Sequence, residues 1–416
     1  MSCHEAHFVN RRTFLGGGAA SLALWSLLPK AAIAGTRDPR LLVVVLRGGL
    51  DGLAAVAPIG DPDYARLRGS IALPAFGEGA GLTLDGFFSL NGAMPALHGL
   101  YQKGEALIVH AVHSPYRARS HFDGQDVLES GLPGVGRTQD GWLNRALAVL
   151  PAAGRANPRG LAVGAMLPLV IRGSAPVLSW SPRVYGMPLR ESTVARLMDL
   201  YAETDPVLAR VFAEGIELHR VAAESTTTAS PLQASAQTPT ARLHREFSEA
   251  AQAAARFLSA ADGPRIGVLS YNGWDTHANE GPIRGQLAIR LGGLDAAIAA
   301  LETGMGTAWR DTVAVVVTEF GRTVRVNGTA GTDHGMATIA LLVGGAVRGG
   351  RVLADWPDLR DQALYEGRDL APTRDLRSVL KGVLRDHLGL AEAALGASVF
   401  PDSLATTSID GLVALR

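Results

Sequence analysis

The segment LLVVVL at residues 41–46 is a continuous apolar run, and the glycine-containing segment RGGLDG at residues 47–52 follows it directly. A strand that is apolar at every position, rather than at every second one, is typical of a parallel sheet buried on both faces. Similar apolar runs recur at residues 106–111, 265–270, 312–318 and 339–343. The chain is therefore predicted to contain a buried sheet of mostly parallel strands.

Helical patterns lie between these runs at residues 241–261, 282–302 and 375–388. Alternating strands and helices predict an α/β fold with a doubly wound, mostly parallel sheet flanked by helices. In such a fold, ligands bind beyond the carboxyl ends of the strands. Residues 151–240 interrupt the alternation and are predicted to form a helical insertion or cap, in which the Ser/Thr/Ala-rich stretch 224–240 is a flexible loop.

The N-terminus has the pattern of an export signal. Arg11 and Arg12 precede an apolar stretch at residues 16–28 and the small-residue segment AIA at residues 32–34. This is the pattern of a twin-arginine signal peptide. Residues 1–34 are therefore predicted to engage the twin-arginine export machinery and to be removed, which places the mature protein in the periplasm or outside the cell.

Charge and cysteine content argue against nucleic-acid binding, disulfide bonds and thiolate metal ligands. The chain has 39 basic and 39 acidic side chains, so its net charge gives no support to nucleic-acid binding. Its only cysteine, Cys3, lies in the predicted signal. The mature domain at residues 35–416 is then expected to have no disulfide, no thiolate ligand and no stable membrane span.

Two later loops each supply a carboxylate and an imidazole. GTDHGM places Asp333 beside His334, and GWDTH places Asp275 two residues before His277, with Glu280 as a further acid nearby. Neighbours in an extended chain point to opposite sides, whereas residues two apart point the same way. These pairs are predicted to bind two divalent ions, among which zinc, manganese, magnesium and calcium stay undecided. Ordinary aspartate-led turns are the alternative.

Other functional side chains follow the remaining predicted strands. Asp51 lies in a glycine-flanked loop after the first strand and is a further predicted metal ligand. Arg47 precedes it and is a candidate contact for an anionic substrate. Glu319 and Arg322 follow the run 312–318, where they form either an ion pair or a part of the site. The glycines lack the spacing of a nucleotide-binding loop.

The segment SPYRARSHFDGQ at residues 114–125 carries candidate catalytic groups. Ser120 with Asp123 three residues later resembles a capping box and predicts the start of a helix. A hydroxyl at a helix N-terminus beside a divalent metal can become a nucleophile. Arg119 is a candidate for holding a substrate oxygen. His121 competes with Ser120 for the catalytic role and is also a candidate ligand.

LRGGLDGL, RSHFDGQDVLESG, GWDTHANE, TEFGRT and GTDHGMA occur in this order after the export signal. With this combination the chain resembles the exported bacterial family known as domain of unknown function 1501, which is grouped with the alkaline phosphatase and sulfatase superfamily. The resemblance spans essentially the whole mature chain. It implies an alkaline phosphatase-like fold and two metal ions held by an early aspartate, a middle Asp/His loop and a late Asp-His pair.

The resemblance assigns these ligand positions to Asp51, to Asp275 and His277, and to Asp333 and His334. The middle loop of this chain spaces its aspartate and histidine more closely than the superfamily usually does.

The nucleophile position departs further from the superfamily pattern. Counted back from the segment ESG at residues 129–131, it falls at or beside His121, so Ser120 matches only with a shift. His387 is a candidate for the superfamily's late histidine, but no motif surrounds it.

Three functions follow from these observations. The leading one is an exported metal-dependent hydrolase of small phosphate or sulfate esters, in which Ser120, His121 or a water activated by metal attacks. The alternative is a non-catalytic exported binding or assembly protein on the same scaffold. An exported oxidoreductase ranks third, because the sequence has no cysteine cluster, haem motif or dinucleotide fingerprint.

Overall fold

A nine-stranded sheet forms the centre of the part of the chain that the structure describes. This computed structural model describes residues 37–414 except 137, 151–159, 182–190, 207, 211, 214 and 217–237. The predicted signal peptide and most of the predicted flexible loop lie outside these residues. The strands of this sheet and of a smaller one are β1 (Arg40–Arg47), β2 (Val56–Ala57), β3 (Leu82–Thr83), β4 (Ser89–Leu90), β5 (Ala106–His113), β6 (Gly160–Val163), β7 (Val177–Trp180), β8 (Ile266–Asn272), β9 (Thr312–Thr318), β10 (Thr338–Val343), β11 (Arg351–Leu353) and β12 (Arg374–Asp375).

Helices cover both faces of the large sheet, which confirms the predicted α/β architecture. Those with defined bounds are α1 (Gly52–Ala55), α2 (Tyr64–Arg68), α3 (Pro95–Gln102), α4 (His121–Ser130), α5 (Trp142–Val149), α6 (Glu191–Thr204), α7 (Pro239–Ser259), α8 (Gln286–Met305), α9 (Leu376–Leu388) and α10 (Glu392–Ala394). The described residues from Pro39 onward form one compact unit. A search of the described helices finds none with the length and apolar character needed to cross a bilayer.

The apolar run that predicted the central strand is buried on both sides. Side chains of β1 alternate between two separate hydrophobic clusters, one containing Leu42, Val44 and Leu46 and the other containing Leu41, Val43 and Val45. Burial of both faces is the reason why residues 41–46 of this strand are all apolar.

The sheet has the strand order β11-β5-β10-β9-β1-β8-β6-β7, and β12 also pairs with β5. Strand β1 is parallel to both β8 and β9. Strand β10 differs, because it is antiparallel to β9 and to β5. The connection at residues 319–337 contains no helix, and without a crossover helix the chain returns antiparallel. The sheet is therefore mostly, but not wholly, parallel.

The segment predicted to be an insertion or cap contributes two strands to this sheet. Strand β6 pairs with β8, and β7 pairs with β6, both in parallel register. Helix α6 follows in sequence. A separate cap built from the rest of residues 151–240 stays a prediction.

Local sequence signals set the helix ends. Thr238 caps α7 by accepting a hydrogen bond from the backbone of Ala241. Asp375 caps α9 in the same way, and α9 ends at Gly389 in the left-handed conformation. Helix α8 begins at Gln286, later than predicted, after two glycines in unusual backbone conformations.

Candidate metal centre

The candidate site lies where several chain segments meet at one edge of the sheet. The loops that follow β1, β5, β8 and β9 all leave the carboxyl ends of mutually parallel strands, so they emerge on the same side. The last of them, residues 319–337, leads into β10 and pairs with itself through an antiparallel bridge between Arg322 and His334. Sequence-distant motifs are thereby brought together.

Two glycines allow these loops to approach closely. A Cβ atom on Gly48, whose φ is +124°, would lie 2.5 Å from the backbone nitrogen of Asp275. A Cβ atom on Gly331 would lie 2.3 Å from the carbonyl group of His277. Any larger residue at these positions would push the loops apart.

Three side chains form the centre of the site. Ligand-type atoms of His121, Asp275 and His334 all lie within 4.8 Å of one another. His121 Nε2 is 3.3 Å from Asp275 Oδ2, and His334 Nε2 is 3.3 Å from Asp275 Oδ1. The three side chains are 24%, 38% and 25% exposed, so the cluster is open to solvent on one side.

A third imidazole lies against this cluster. His277 Nε2 is 3.0 Å from Asp275 Oδ1 and 3.0 Å from His334 Nε2. Three imidazole Nε2 atoms therefore approach one carboxylate, which is a donor set that suits a borderline divalent ion.

The Nδ1 atoms of His121 and His334 both face hydrogen-bond acceptors. His121 Nδ1 is 2.9 Å from Glu319 Oε1, and His334 Nδ1 is 2.9 Å from the carbonyl oxygen of Arg119. When Nδ1 donates its proton to such an acceptor, the lone pair of Nε2 is left for a metal. Arg119 has φ +62°, a conformation that is uncommon for residues other than glycine.

His277 follows the same pattern with an aspartate. Its Nδ1 is 3.3 Å from Asp333 Oδ1, and Asn327 Nδ2 also contacts that oxygen at 3.3 Å. Asp333 and His334 thus both contact the His277 ring, Asp333 at Nδ1 and His334 at Nε2. Asp333, however, lies behind His277 and outside the three-residue cluster.

The surroundings of His121 Nε2 indicate whether a metal ion fits the cluster. His121 Nε2 is buried, and apart from its 3.3 Å contact with Asp275 Oδ2 it has no hydrogen-bond partner among the described residues. Buried polar atoms without partners are rare in proteins. A divalent ion shared with Asp275 and His334 would satisfy this atom, so the residues present fit a metal.

Glu319 is a buried anchor for the site. Its carboxylate accepts hydrogen bonds from His121, from Gln125 Nε2 at 3.1 Å and from the backbone nitrogen of Gly48 at 2.8 Å. Burial alone would raise the pKa of Glu319, but these hydrogen bonds outweigh burial and hold it below its usual range. The bond to Glu319 in turn raises the pKa of His121, whereas burial lowers the pKa of His334.

A buried arginine fixes Asp275. Arg322 Nη1 donates to Asp275 Oδ1 at 2.6 Å. Burial would raise the pKa of Asp275, but its contacts with Arg322 outweigh burial and hold that pKa below its usual range. The sequence predicts that Arg322 pairs with Glu319, supports the metal ligands or contacts substrate, and the structure places it behind Asp275, one of the candidate ligands.

Asp51 is not brought into the cluster, although it was predicted as a ligand. Its Oδ1 accepts from the backbone nitrogens of Leu53 at 3.0 Å and Ala54 at 3.2 Å, and its Oδ2 pairs with the fully buried Arg68. Burial would raise the pKa of Asp51, but the charge of Arg68 together with the hydrogen bonds to Glu280 and Arg68 outweighs burial, and the pKa is lowered. No sequence motif marked Arg68 as a partner.

Two predicted substrate arginines have carboxylate partners. Arg47 pairs with Glu129, and Arg119 pairs with Asp369 at 2.7 Å and with Glu366 at 2.6 Å. Neither guanidinium is part of the His and Asp cluster.

The predicted capping box is wrong. Ser120 does precede α4, but its hydroxyl makes no capping hydrogen bond. Asp123 instead accepts from the hydroxyl of Tyr116 at 3.2 Å. His387, the candidate for a late histidine, is buried and lies 2.8 Å from the carbonyl oxygen of Arg40.

Solved structures that resemble this chain include a hydrolase, a sulfatase and a protein described as belonging to the alkaline phosphatase superfamily. A phosphonate monoester hydrolase of Agrobacterium radiobacter is 11% identical, with 85% of this chain and 74% of that chain covered and a TM-score of 0.36. The sulfatase PsFucS1 from Pseudoalteromonas sp. is 14% identical, with 96% and 75% covered and a TM-score of 0.38. A protein in the alkaline phosphatase superfamily from Vibrio parahaemolyticus is 12% identical, with 76% and 62% covered and a TM-score of 0.37.

No curated protein matches the chain. A family model described as "Protein of unknown function (DUF1501)" matches residues 104–396, which include every member of the cluster. The chain belongs to the DUF1501 family.

Proposed function

We propose that this protein is an exported hydrolase of phosphate or sulfate esters that uses one divalent metal ion. His121, Asp275 and His334 would hold the ion, with His277 as a fourth ligand. The observation that carries this proposal is the convergence of three Nε2 atoms on one carboxylate, with an acceptor beside each Nδ1. Such acceptors typically strengthen and orient histidine ligands.

One ion, rather than the two predicted from sequence, fits the charges of the described residues. Asp51, which the sequence offers as a further metal ligand, already has the guanidinium of Arg68 as its cation. Three imidazoles and one carboxylate favour zinc, manganese or iron, since magnesium and calcium prefer ligand sets made of oxygen.

In the proposed reaction, different residues of the chain hold the metal ligands and attack the ester. The bound ion would act as a Lewis acid on an ester oxygen. Glu319 holds His121, and the Arg119 carbonyl holds His334. Ser120 is the proposed nucleophile, because it sits at the N-terminus of α4 next to His121 and its hydroxyl is not used as a cap.

A specific observation favours the non-catalytic alternative. The side chains of Arg47, Arg119 and Arg322 all pair with carboxylates of the protein. None of these three is therefore available for an anionic ester without breaking an ion pair. A binding or assembly protein with a structural metal would need no such group.

Metal content tests the proposal first. The parent protein, His121→Ala, His334→Ala and the control His98→Ala would be analysed by mass spectrometry after zinc or manganese reconstitution, with circular dichroism to check folding. His98 contacts the carbonyl oxygen of Thr83 and lies outside the cluster. About one equivalent in the parent and the control, with loss in both cluster variants, is expected.

Turnover of aryl phosphate and aryl sulfate esters then separates the two functions. Hydrolysis that depends on added metal and is lost in Ser120→Ala would support the hydrolase. A stoichiometric metal without turnover would favour the binding protein. Absence of metal after reconstitution would refute both the site and the hydrolase.

A further inference from the structure

A line of buried polar side chains reaches Asp275 from the protein interior. Glu280, Thr332 and Arg322 are at most 1% exposed. The Thr332 hydroxyl donates to Glu280 Oε2 at 2.8 Å and accepts from Arg322 Nε at 3.1 Å. Arg322 Nη1 then donates to Asp275 Oδ1 at 2.6 Å.

The planar guanidinium of Arg322 couples the position of Thr332 to that of Asp275. Arg322 also donates from Nη2 to the carbonyl oxygen of Thr332. Because the guanidinium is planar and rigid, two nitrogens fixed by Thr332 determine where the third nitrogen points. That third nitrogen is the one that contacts Asp275.

Glu280 sets the direction of the threonine hydroxyl. Its other oxygen, Oε1, lacks a hydrogen-bond partner other than the carboxyl group of Asp51. Burial and the charge of Asp51 raise the pKa of Glu280 well above its usual range. Because an arginine can only donate, the Thr332 hydroxyl accepts from Arg322 and has its own proton free for Glu280. Glu280 Oε2 remains an acceptor, and the single proton of the Thr332 hydroxyl goes to it. The hydroxyl lone pairs then face Arg322.

We propose that Thr332 is a positioning residue that, held by Glu280, orients Arg322 and thereby fixes the carboxylate of Asp275 for metal binding. This inference rests on the proposed metal site. Thr332 itself contacts neither a ligand atom of the cluster nor a substrate. Its role is to keep Asp275 at the place where His121 and His334 converge.

The test compares zinc affinities of the full chain by competition with a chromophoric chelator. Thr332→Val removes the hydroxyl at nearly constant volume, and Thr332→Ser keeps it. Thr312→Val is the matched control, because Thr312 is also fully buried and donates to the carbonyl oxygen of Ala308 at 2.7 Å at the other end of β9. All variants would be checked for folding by circular dichroism.

Thr332→Val is expected to weaken zinc binding about tenfold or more, as loss of groups behind metal ligands commonly does. Thr332→Ser should restore it to within about threefold of the parent, and Thr312→Val should leave it unchanged even if its unfolding temperature falls. A purely structural role would lower stability in both valine variants without this difference in affinity.

Parent-like zinc affinity in folded Thr332→Val would overturn the inference and leave the metal site intact. Absence of zinc binding by the parent would overturn the proposed function itself. If Thr332→Val does not fold, Arg322→Lys keeps the buried charge but lacks the planar fork. It must then weaken zinc binding by a similar factor, and unchanged affinity would refute the proposal.

Discussion

A buried histidine outside the site should make the stability of this protein depend on pH. His110 in β5 is fully buried, with rings of Phe88 and Trp356 at centroid distances of 5.3 and 5.1 Å. Its Nε2 contacts the carbonyl oxygen of Val56 at 3.0 Å, and its Nδ1 accepts from the backbone nitrogen of Ala111 at 2.8 Å. Both nitrogens are thus satisfied in the neutral ring.

Burial lowers the pKa of His110 from 6.5 to about 4, although the Val56 carbonyl and the charge of Asp51 offset part of this effect. In the unfolded chain His110 therefore becomes protonated below about pH 6.5, whereas in the native protein it stays neutral down to about pH 4. The free energy of unfolding is unaffected above this window and falls through it. At pH 4.5 the loss is about 2.5 kcal/mol, from the ratio of the two binding polynomials.

Urea unfolding of the metal-free parent and of His110→Gln, at pH values from about 7.5 to 4.5, measures this effect. Metal must be absent because the cluster histidines would otherwise add their own proton linkage. Glutamine does not titrate, so the stability gap between parent and variant should narrow by about 2.5 kcal/mol as the pH falls. Curves that stay parallel over this range would show that His110 is not a buried neutral histidine and would refute the reasoning.

Three further predictions concern the site and its surroundings. Glu319→Gln should weaken metal binding by about 10- to 100-fold without changing stoichiometry, which a chelator competition titration would measure; unchanged affinity would contradict the role of the His121 contact. Gly48→Ala should lower stability by more than about 2 kcal/mol in thermal unfolding, because its Cβ atom would meet the backbone nitrogen of Asp275; a neutral substitution would refute this. Arg68→Met should cost about 3–5 kcal/mol by leaving Asp51 unpaired, and adding Asp51→Asn should recover much of that loss in urea unfolding; no recovery would argue against the ion pair.

The fold was predictable largely because its signal is local. The nearly continuous apolar runs within β1, β5, β8, β9 and β10 indicate burial of both strand faces, and this pattern can be recognised in each segment separately. The direction of β10 was not predictable in this way, because antiparallel pairing depends on whether the connection crosses the sheet. The two strands contributed by residues 160–180 were also missed, since each has only four residues.

The candidate site was predicted in part. The motifs identified Asp275, His277 and His334, but they divided the ligands between two ions. His121 was considered mainly as a catalytic group, although it lies with Asp275 and His334 in the cluster. A histidine next to a helix N-terminus is not by itself a ligand signal, and only its distances to the other loops mark it as one.

Sequence by itself determined which side chains could bind a metal and which strands had to be buried. Composition and periodicity fix these properties residue by residue. Tertiary structure alone decided which of those side chains meet. Glu319 contacts His121 across 198 positions of the chain. Arg68 forms an ion pair with Asp51, which the sequence motif had indicated as a metal ligand. A buried charge must be paired with whatever opposite charge the fold brings within reach, and that partner has no fixed spacing in the sequence.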